Sequence, residues 1–392
     1  MADLFWPGDE RAAEVFSSAA FLDAMVRTEG AWLAALVAAG VAPAAAGTDL
    51  TGLVGADDIA GISAAAESGG NPAMPLLRLL RDRAATSATR EWLHRGLTSQ
   101  DVVDCALMAC AREAITRVSR EVDQQVTALV QLVEEHRDTV MAGRTLTQHA
   151  VPITFGLKAA LWLGGLLDAR EQLRGVRTPA QLGGAAGTLA ATVELARRSG
   201  ADDPVGTALA VVAGTTTALG LDESRPWHTS RAPVARLGDA LVGACDVWGR
   251  IANDVLVLSR PEIGELAEPA GRGGSSTMPH KANPVLAVLV RRASLTAPML
   301  GAQLHLASTE AVDERPDGSW HTEWTAVAAL SRRTLVAASQ MTELVTGLHV
   351  DSGRMAATAA AATSSLLAEP RSVVPDAATD DLSDYLGATD EL

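Results

Sequence analysis

Apolar residues recur at helical spacing from about residue 98 to Glu135, a run much longer than an ordinary globular helix. A run of this length indicates the spine of a helical bundle. Similar runs cover residues 153–174, 232–259 and 284–308, and a last one ends near Thr346. Only 3% of the residues are aromatic, whereas Ala, Leu and Val dominate, which favours helices that pack closely on small side chains. We therefore predict an all-α fold with a central bundle of long helices.

Glycines, prolines and polar residues divide the predicted helices into three parts. Residues 1–97 are predicted to form an N-terminal helical domain, and residues 98–346 the central bundle. Residues 347–392 are predicted to form a short C-terminal segment, helical around 356–362 but loosely ordered near Pro370, Pro375 and the acidic run 376–384.

Charge and composition restrict the partners of the protein. The formal net charge of −15 argues against a nucleic-acid-binding surface, which needs basic clusters. The three cysteines match neither a metal-binding spacing nor a disulfide framework, as expected of reduced cytosolic thiols. The acidic N-terminus does not resemble a signal peptide, and no uninterrupted apolar run reaches about 18 residues. We expect a cytoplasmic protein without a membrane partner.

Polar segments interrupt the long helices, and the densest is the loop 271–284. It combines three glycines with Ser275, Ser276, Thr277, His280, Lys281 and Asn283. The glycines allow such a segment to close over a ligand, and the side chains suit an anionic substrate and a proton in transit. A solvated loop between two helices is the alternative interpretation.

Five of the eight histidines lie in or beside these interruptions: His94, His149, His228, His280 and His321. Each alone could make a structural hydrogen bond, but together they favour an acid–base or anion-binding site. A zinc site is the competing hypothesis. Because no HxH or HxxxH pair occurs, we predict no metal.

Three segments resemble the signature regions of the fumarase/aspartase superfamily: Thr98–Asp101, Gly143–Pro152 and Gly274–Pro284. The similarity spans roughly residues 1–350. Within the superfamily, Gly183-Gly184-Ala185, Pro226–Thr229 and Trp320–Trp324 look like the branch of the 3-carboxy-cis,cis-muconate cycloisomerases. The resemblance implies a fold of three helical domains and a homotetramer whose active sites are shared between subunits. The C-terminal domain of this chain looks shortened in comparison.

The resemblance also implies roles for individual residues. Ser275 matches the loop serine that acts as the base, although it could instead only hydrogen-bond the substrate. Lys281 and Asn283 match the residues that hold a substrate carboxylate and its carbanionic form. The preferred mechanism needs no proton donor, and a mechanism in which His149 donates the proton is the second choice. The remaining predicted substrate-binding residues are His94, Thr98, Ser99, Gln100, Arg144, Thr145, Gln148, Ser276, Thr277, Met278 and His321. Arg95 and Arg315 are further cationic candidates, and Arg315 is the weakest of the set because it could be only a solvated loop charge.

One departure from the superfamily pattern concerns the leaving group. Many lyases of the superfamily have a histidine after the Arg-Thr of the second region, where this chain has Leu146. An amine or hydroxide must be protonated as it leaves, whereas a carboxylate, with a pKa near roughly 4, needs no donor. We therefore expect a cofactor-free cycloisomerase that interconverts 3-carboxy-cis,cis-muconate, a small tricarboxylate, and 4-carboxymuconolactone in protocatechuate breakdown. The alternatives are a lyase that releases fumarate from a succinyl-type substrate with a good leaving group, or a catalytically silent structural paralogue.

Overall fold

The computed structural model describes residues 3–274, 277–278, 281–374 and 379–392. Helices dominate this part of the chain, so the prediction of an all-α fold is confirmed. The α-helices are α1 (Ser18–Ala38), α2 (Ile59–Ala66), α3 (Ala73–Arg83), α4 (Ser87–Trp92), α5 (Ser99–Glu135), α6 (Phe155–Arg174), α7 (Ala190–Arg198), α8 (Pro204–Leu219), α9 (Ala232–Leu258), α10 (Val285–Thr309), α11 (Gly318–Thr346), α12 (Ser352–Ala361), α13 (Thr363–Leu366) and α14 (Ala368–Val373). The five predicted long helices correspond to α5, α6, α9, α10 and α11.

Four short strands pair into two antiparallel ribbons within the described residues. Strands β1 (Val140–Thr145) and β2 (Gln148–Thr154) form a hairpin, and β3 (Leu266–Ala267) pairs with β4 (His349–Val350). The sequence predicts the segment 143–152 as a polar interruption and a signature region, and it predicts no strands there. The hairpin forms because Thr145 pairs with Gln148 across a two-residue turn at Leu146 and Thr147.

The chain divides into two compact units, each built from three chain segments. The first unit contains Met1–Thr116, Val176–Asp239 and Met299–Arg332, and the second contains Arg117–Gly175, Ala240–Pro298 and Arg333–Leu392. The three-part division predicted from the sequence stays a prediction.

In the first unit, α1 packs against α8 and buries Trp32 and Leu36. Side chains cap several helices here. Ser17 accepts a hydrogen bond from the Ala20 amide at the start of α1, and Asp203 accepts one from Gly206 at the start of α8. These caps define where the helices begin.

In the second unit, the hairpin packs against the C-terminal helices. Ala142 on β1 forms an apolar cluster with Ala359, Ala362 and Leu366, and Leu382 packs against this cluster. Pro370, which the sequence analysis expected in a loosely ordered region, is buried at α14. The C-terminal segment is helical here because its apolar face covers the hairpin.

Helix α10 is long and apolar enough to cross a membrane by length and composition, although Arg291 and Arg292 interrupt it. A buried helix of a soluble protein meets the same criterion. Only a third of its most apolar window is buried within this chain, so much of its apolar surface is exposed.

Candidate active site

The first signature segment lies at the start of α5, as the sequence predicted. The Asp101 carboxylate accepts a hydrogen bond from the Thr98 amide at 3.0 Å, and the Asp101 amide donates to the Thr98 carbonyl. The Asp101 side chain therefore caps the Thr98 amide as the acidic residue of a capping box does, while the return hydrogen bond goes to the Thr98 carbonyl, and the two bonds fix the backbone at the helix start.

Asp101 also holds a second segment beside the first. Its carboxylate accepts hydrogen bonds from the amides of Gly183 and Gly184, each at 3.0 Å, and from Nε2 of Gln181 at 3.1 Å. A Cβ atom on Gly183 would lie 2.5 Å from the His228 ring, so only glycine fits there. Burial raises the pKa of Asp101 to about 6 and outweighs these hydrogen bonds, which favour the carboxylate.

Arg315 provides the positive charge beside the two signature hydroxyls. Its Nη1 donates to Oγ1 of Thr98 at 3.1 Å, and its Nη2 donates to Oγ of Ser99 at 3.3 Å. The guanidinium lies over the Trp320 ring, 5.4 Å from the ring centroid. Thr98, Ser99 and Arg315 thus form a cationic, hydroxyl-lined patch suited to a carboxylate.

Beneath this patch lies a buried ion network. Arg231 donates to Asp104 at 2.8 Å and to Glu323 at 2.6 Å, and all three side chains are at most 1% exposed. The Trp320 indole donates to Asp104. The two carboxylates outweigh the burial of Arg231 and raise its pKa, so the guanidinium is charged. The network fixes the start of α11 against α5 and α9.

Gln100 and His228 lie behind the patch. The Gln100 amide is buried and donates to Asp104 and to the His228 carbonyl, so in this structure it supports its neighbours. Burial lowers the pKa of His228, which indicates a neutral ring whose Nε2 donates to the Gly184 carbonyl at 2.9 Å. Gln181 donates to the other ring nitrogen at 3.2 Å.

His94 and His321 are held by different partners. Nδ1 of His94 lies 2.6 Å from a carboxylate oxygen of Glu29 on α1. His321 is exposed, but its Nδ1 lies 3.0 Å from the Asp317 carbonyl and its Nε2 lies 2.7 Å from the Gly70 carbonyl. A substrate would have to displace one of these carbonyls to bind the His321 ring.

The second signature segment forms the hairpin of the second unit. Arg144 makes a bidentate ion pair with the buried Glu265, at 2.8 and 3.1 Å, so its charge is neutralised locally. Thr145, Gln148 and His149 are exposed, and His149 lines a surface cavity of about 400 Å³ with α12 and α13. Leu146 lies at the hairpin tip and is 96% exposed.

The loop 271–284 is closed at its base. The Asn283 amide and side chain both donate to the Gly273 carbonyl, at 2.9 and 2.8 Å, and Gly274 forms an isolated bridge with Ala282. Lys281 and Thr277 are exposed, and the Lys281 amide donates to the Met278 carbonyl. The predicted site residues Ser275 and Ser276, as well as His280, lie outside the described residues.

The predicted site residues therefore fall into both compact units. The first unit brings Thr98 and Ser99 together with Arg315, and the second contains the hairpin residues and the loop. The predicted roles of these residues stay predictions. Sequence reasoning missed Glu29, Asp104 and Arg231. Glu29 and Asp104 lie inside helical patterns, where charged residues look like solvent-exposed positions, and Arg231 lies in the polar segment just before α9. Among the residues that the structure describes, no cluster of three metal-ligating side chains occurs.

Comparisons with known proteins concern the family and the fold of the chain. A family model described as lyase matches residues 54–297. The chain is 41% identical over 351 residues to nitrosuccinate lyase from Streptomyces davaonensis, an alignment that covers 87% of this chain and 73% of that protein. It is 38% identical over 350 residues to 3-carboxy-cis,cis-muconate cycloisomerase from Pseudomonas aeruginosa, covering 87% of this chain and 74% of that one.

A solved structure shows the same fold. The 3-carboxy-cis,cis-muconate lactonizing enzyme from Pseudomonas putida superposes with a TM-score of 0.84 and 32% sequence identity, over 93% of this chain and 81% of that one. The fold, the signature segments and the family match lead to one conclusion: the chain belongs to the lyase family of the fumarase/aspartase superfamily.

Proposed function

We propose that this protein forms and breaks a bond β to a carboxylate, through an aci-carboxylate intermediate, with a weakly basic anion as the leaving group. The first candidate reaction is the interconversion of 3-carboxy-cis,cis-muconate and 4-carboxymuconolactone without a cofactor. Relatives with this activity in their names support it at 38% identity, as does the similarity to the lactonizing enzyme.

The observation that carries the proposal is the residue at the hairpin tip. Leu146 occupies the position where many superfamily lyases have a histidine, and its side chain cannot transfer a proton. Leu146 and Thr147 both have positive φ, +47° and +71°, which is unfavourable for a leucine and for a β-branched residue. Strain of this kind is typical of functional segments. A leaving group that departs as a stable anion needs no acid there.

The proposed chemistry keeps protons and electrons in balance. In the direction of ring opening, Ser275 removes the proton from the carbon next to a carboxylate, and the electron pair moves onto that carboxylate. Lys281, Asn283 and Gln148 stabilise the charge by donating hydrogen bonds. The electrons then return to form the carbon–carbon double bond, while the ring C–O bond breaks and the second carboxylate leaves.

Arg315, Thr98 and Ser99 are proposed to bind another carboxylate of the substrate. This assignment rests on their mutual contacts at 3.1 and 3.3 Å and on the exposed position of Arg315. A tricarboxylate has three carboxylates, and one of them is proposed to bind this patch. The leaving carboxylate stays tethered, so the reverse reaction benefits from proximity.

A second candidate reaction is the elimination of nitrite from nitrosuccinate to give fumarate. It is favoured by the 41% identity to nitrosuccinate lyase. Nitrite, like a carboxylate, is a weak base, so Leu146 suits this reaction for the same reason. The proton again leaves the carbon next to a carboxylate, and the C–N bond breaks instead of a C–O bond.

Two assays on one purified protein separate the candidates. Loss of diene absorbance on adding 3-carboxy-cis,cis-muconate reports cycloisomerisation, and colorimetric nitrite detection reports elimination from 2-nitrosuccinate. We expect the first to be fast and to be abolished in Ser275→Ala, whereas the surface variant His305→Gln keeps full activity. Nitrite release without diene loss would support the second candidate instead. Folded protein that is inactive in both assays would contradict the proposal.

A further inference from the structure

Behind the first signature segment, a carboxylate and an imidazole form a buried pair. Glu29 lies on α1 and is 1% exposed, and its Oε1 lies 2.6 Å from Nδ1 of His94. The His94 side chain is 13% exposed. Because a carboxylate only accepts hydrogen bonds, Nδ1 carries the proton of this contact. The pair therefore fixes the ring orientation and leaves Nε2 as the free nitrogen.

The backbone around His94 is held from both sides. Nη2 of Arg81 donates to the Leu93 carbonyl at 3.0 Å, and the Trp32 indole donates to the Arg95 carbonyl at 2.7 Å. Trp32 lies three residues after Glu29 on α1, so both act from one helix face. His94 has a φ of +66°, which is uncommon for a residue other than glycine. Such strain persists only where the surroundings impose it.

The Glu29–His94 pair also leaves polar atoms without hydrogen-bond partners, which is unexpected of a purely structural contact. The second carboxylate oxygen of Glu29, Oε2, is buried and has no hydrogen-bond partner among the described residues. An unsatisfied buried carboxylate oxygen costs stability, and an apolar pair in the same place would avoid that cost. Nε2 of His94 likewise has no protein partner in the described part of the chain. Both facts favour a role toward a ligand.

The charges around His94 favour its protonated form. Burial and the nearby Arg81 favour the neutral ring. The charge and hydrogen bond of Glu29 and the charge of Asp101 favour the cation more strongly, so the pKa of His94 is raised. An imidazolium presents an N–H at Nε2, whereas a neutral ring with its proton on Nδ1 presents a lone pair there. While Nδ1 donates to Glu29, only the imidazolium can also donate from Nε2 to a substrate carboxylate.

We propose that Glu29 is a positioning residue: it orients His94 and keeps it protonated, so that Nε2 donates a hydrogen bond to a carboxylate of the substrate. This inference rests on the proposed function for the class of ligand. In this proposal His94 is positively charged, and Glu29, which is itself buried, acts through His94.

The direct test follows the titration of His94 in the full-length protein. Histidine labelled with ¹³C at Cε1 gives one NMR signal per ring, and His94→Gln assigns the signal. We expect Glu29→Gln to lower the His94 pKa by about one unit or more, because an opposite charge is removed from a buried pair. Glu29→Asp, which keeps the charge, should restore part of the shift. Glu91→Gln is the matched control, since Glu91 is exposed and pairs with Arg95.

A binding measurement connects this titration to the substrate. With propane-1,2,3-tricarboxylate as the probe, we expect Glu29→Gln to weaken binding about fivefold to tenfold at pH 7. The difference should be smaller at pH 5, because a lower pH protonates a larger fraction of His94 in the variant. Equal loss of affinity at both pH values would indicate a merely structural role and would overturn the proposal.

Failure of this proposal is distinguishable from failure of the proposed function. A His94 titration that is the same in folded Glu29→Gln and wild type overturns the positioning role, whatever the activity assays give. If instead the wild type binds the tricarboxylate but converts neither candidate substrate, the proposed reaction is wrong and the Glu29–His94 proposal still stands.

Discussion

Asp101 is a buried carboxylate whose ionisation affects two neighbouring segments. Its carboxylate accepts four hydrogen bonds, from Thr98, Gln181, Gly183 and Gly184. It therefore connects the first signature segment to the segment 181–184 beside the cationic patch. Replacing it with Asn leaves one acceptor oxygen and puts an N–H₂ group among donors. The cost of an unsatisfied buried donor is about 1–3 kcal/mol.

The raised pKa of Asp101 predicts a specific dependence on pH. In the unfolded chain the pKa is about 3.9, and in the folded protein it is about 6. The folded state therefore binds the proton more tightly, and this contribution to stability is lost as the pH rises from about 4 to 6. We expect the Tm difference between wild type and Asp101→Asn to be largest near pH 4 and to shrink to a constant value above about pH 6. A difference that grows with pH would contradict the assignment.

Some residues of the site could be predicted from the sequence, and others could not. Thr98 and Asp101 were recognisable because a hydroxyl followed three positions later by a carboxylate marks a helix start. Glu29 lies inside a continuous helical pattern, and Arg231 lies in the polar interruption just before α9. Their burial depends on packing between segments distant in sequence, such as Glu323 against Arg231, and periodicity carries no information on that.

At the scale of elements, the helix ends were predicted closely. Helix α5 begins at Ser99 and ends at Glu135, as expected from its apolar periodicity. The hairpin 140–154 was not foreseen, because its two strands are short and its turn has Leu146 and Thr147 where Asn-Gly is the usual signal. Because this turn lacks the residues that usually mark a two-residue hairpin, its local sequence does not predict it.

The base of the loop 271–284 gives a test at this scale. A Cβ atom on Gly273 would lie 2.0 Å from the Asn283 carbonyl oxygen, and Gly273 has a φ of +70°. Gly273→Ala should therefore open the base and displace Lys281 and Asn283. We expect kcat to fall roughly 10²-fold, the usual consequence of displacing reacting groups by about 1 Å, with a much smaller change in Tm.

Gly274→Ala is the matched control for this prediction. A Cβ atom on Gly274 meets nothing within 4 Å, and its φ is not in the positive region. Measuring kcat for both variants by steady-state kinetics tests the prediction. Comparable activity in Gly273→Ala and Gly274→Ala would show that the closed base is irrelevant to turnover.

At the scale of the whole molecule, α10 presents an exposed apolar surface. Leu295, Met299 and Leu306 on this helix are between 65% and 71% exposed. Large exposed apolar patches mark interaction surfaces. We predict a homotetramer in which a second copy covers α10.

Light scattering coupled to gel filtration tests the assembly. The wild type should have four times the mass of the chain, and Leu295→Glu/Met299→Glu should have a lower mass, since buried charges oppose association. Val205→Glu/Leu209→Glu on α8, where two apolar residues are also exposed, serves as the control pair. A monomeric wild type would contradict the prediction.

We propose that the absence of an acid at position 146 restricts this enzyme to leaving groups that depart as weakly basic anions. The most direct measurement compares kcat/KM for 4-carboxymuconolactone and 2-nitrosuccinate with that for an amine-leaving succinyl adduct such as aspartate or N-succinyl amino acids. We predict turnover of at least one of the first two and essentially none of the amine adducts, both in wild type and in Leu146→Ala. Fumarate release from an amine adduct at a rate similar to either of the others would contradict the account.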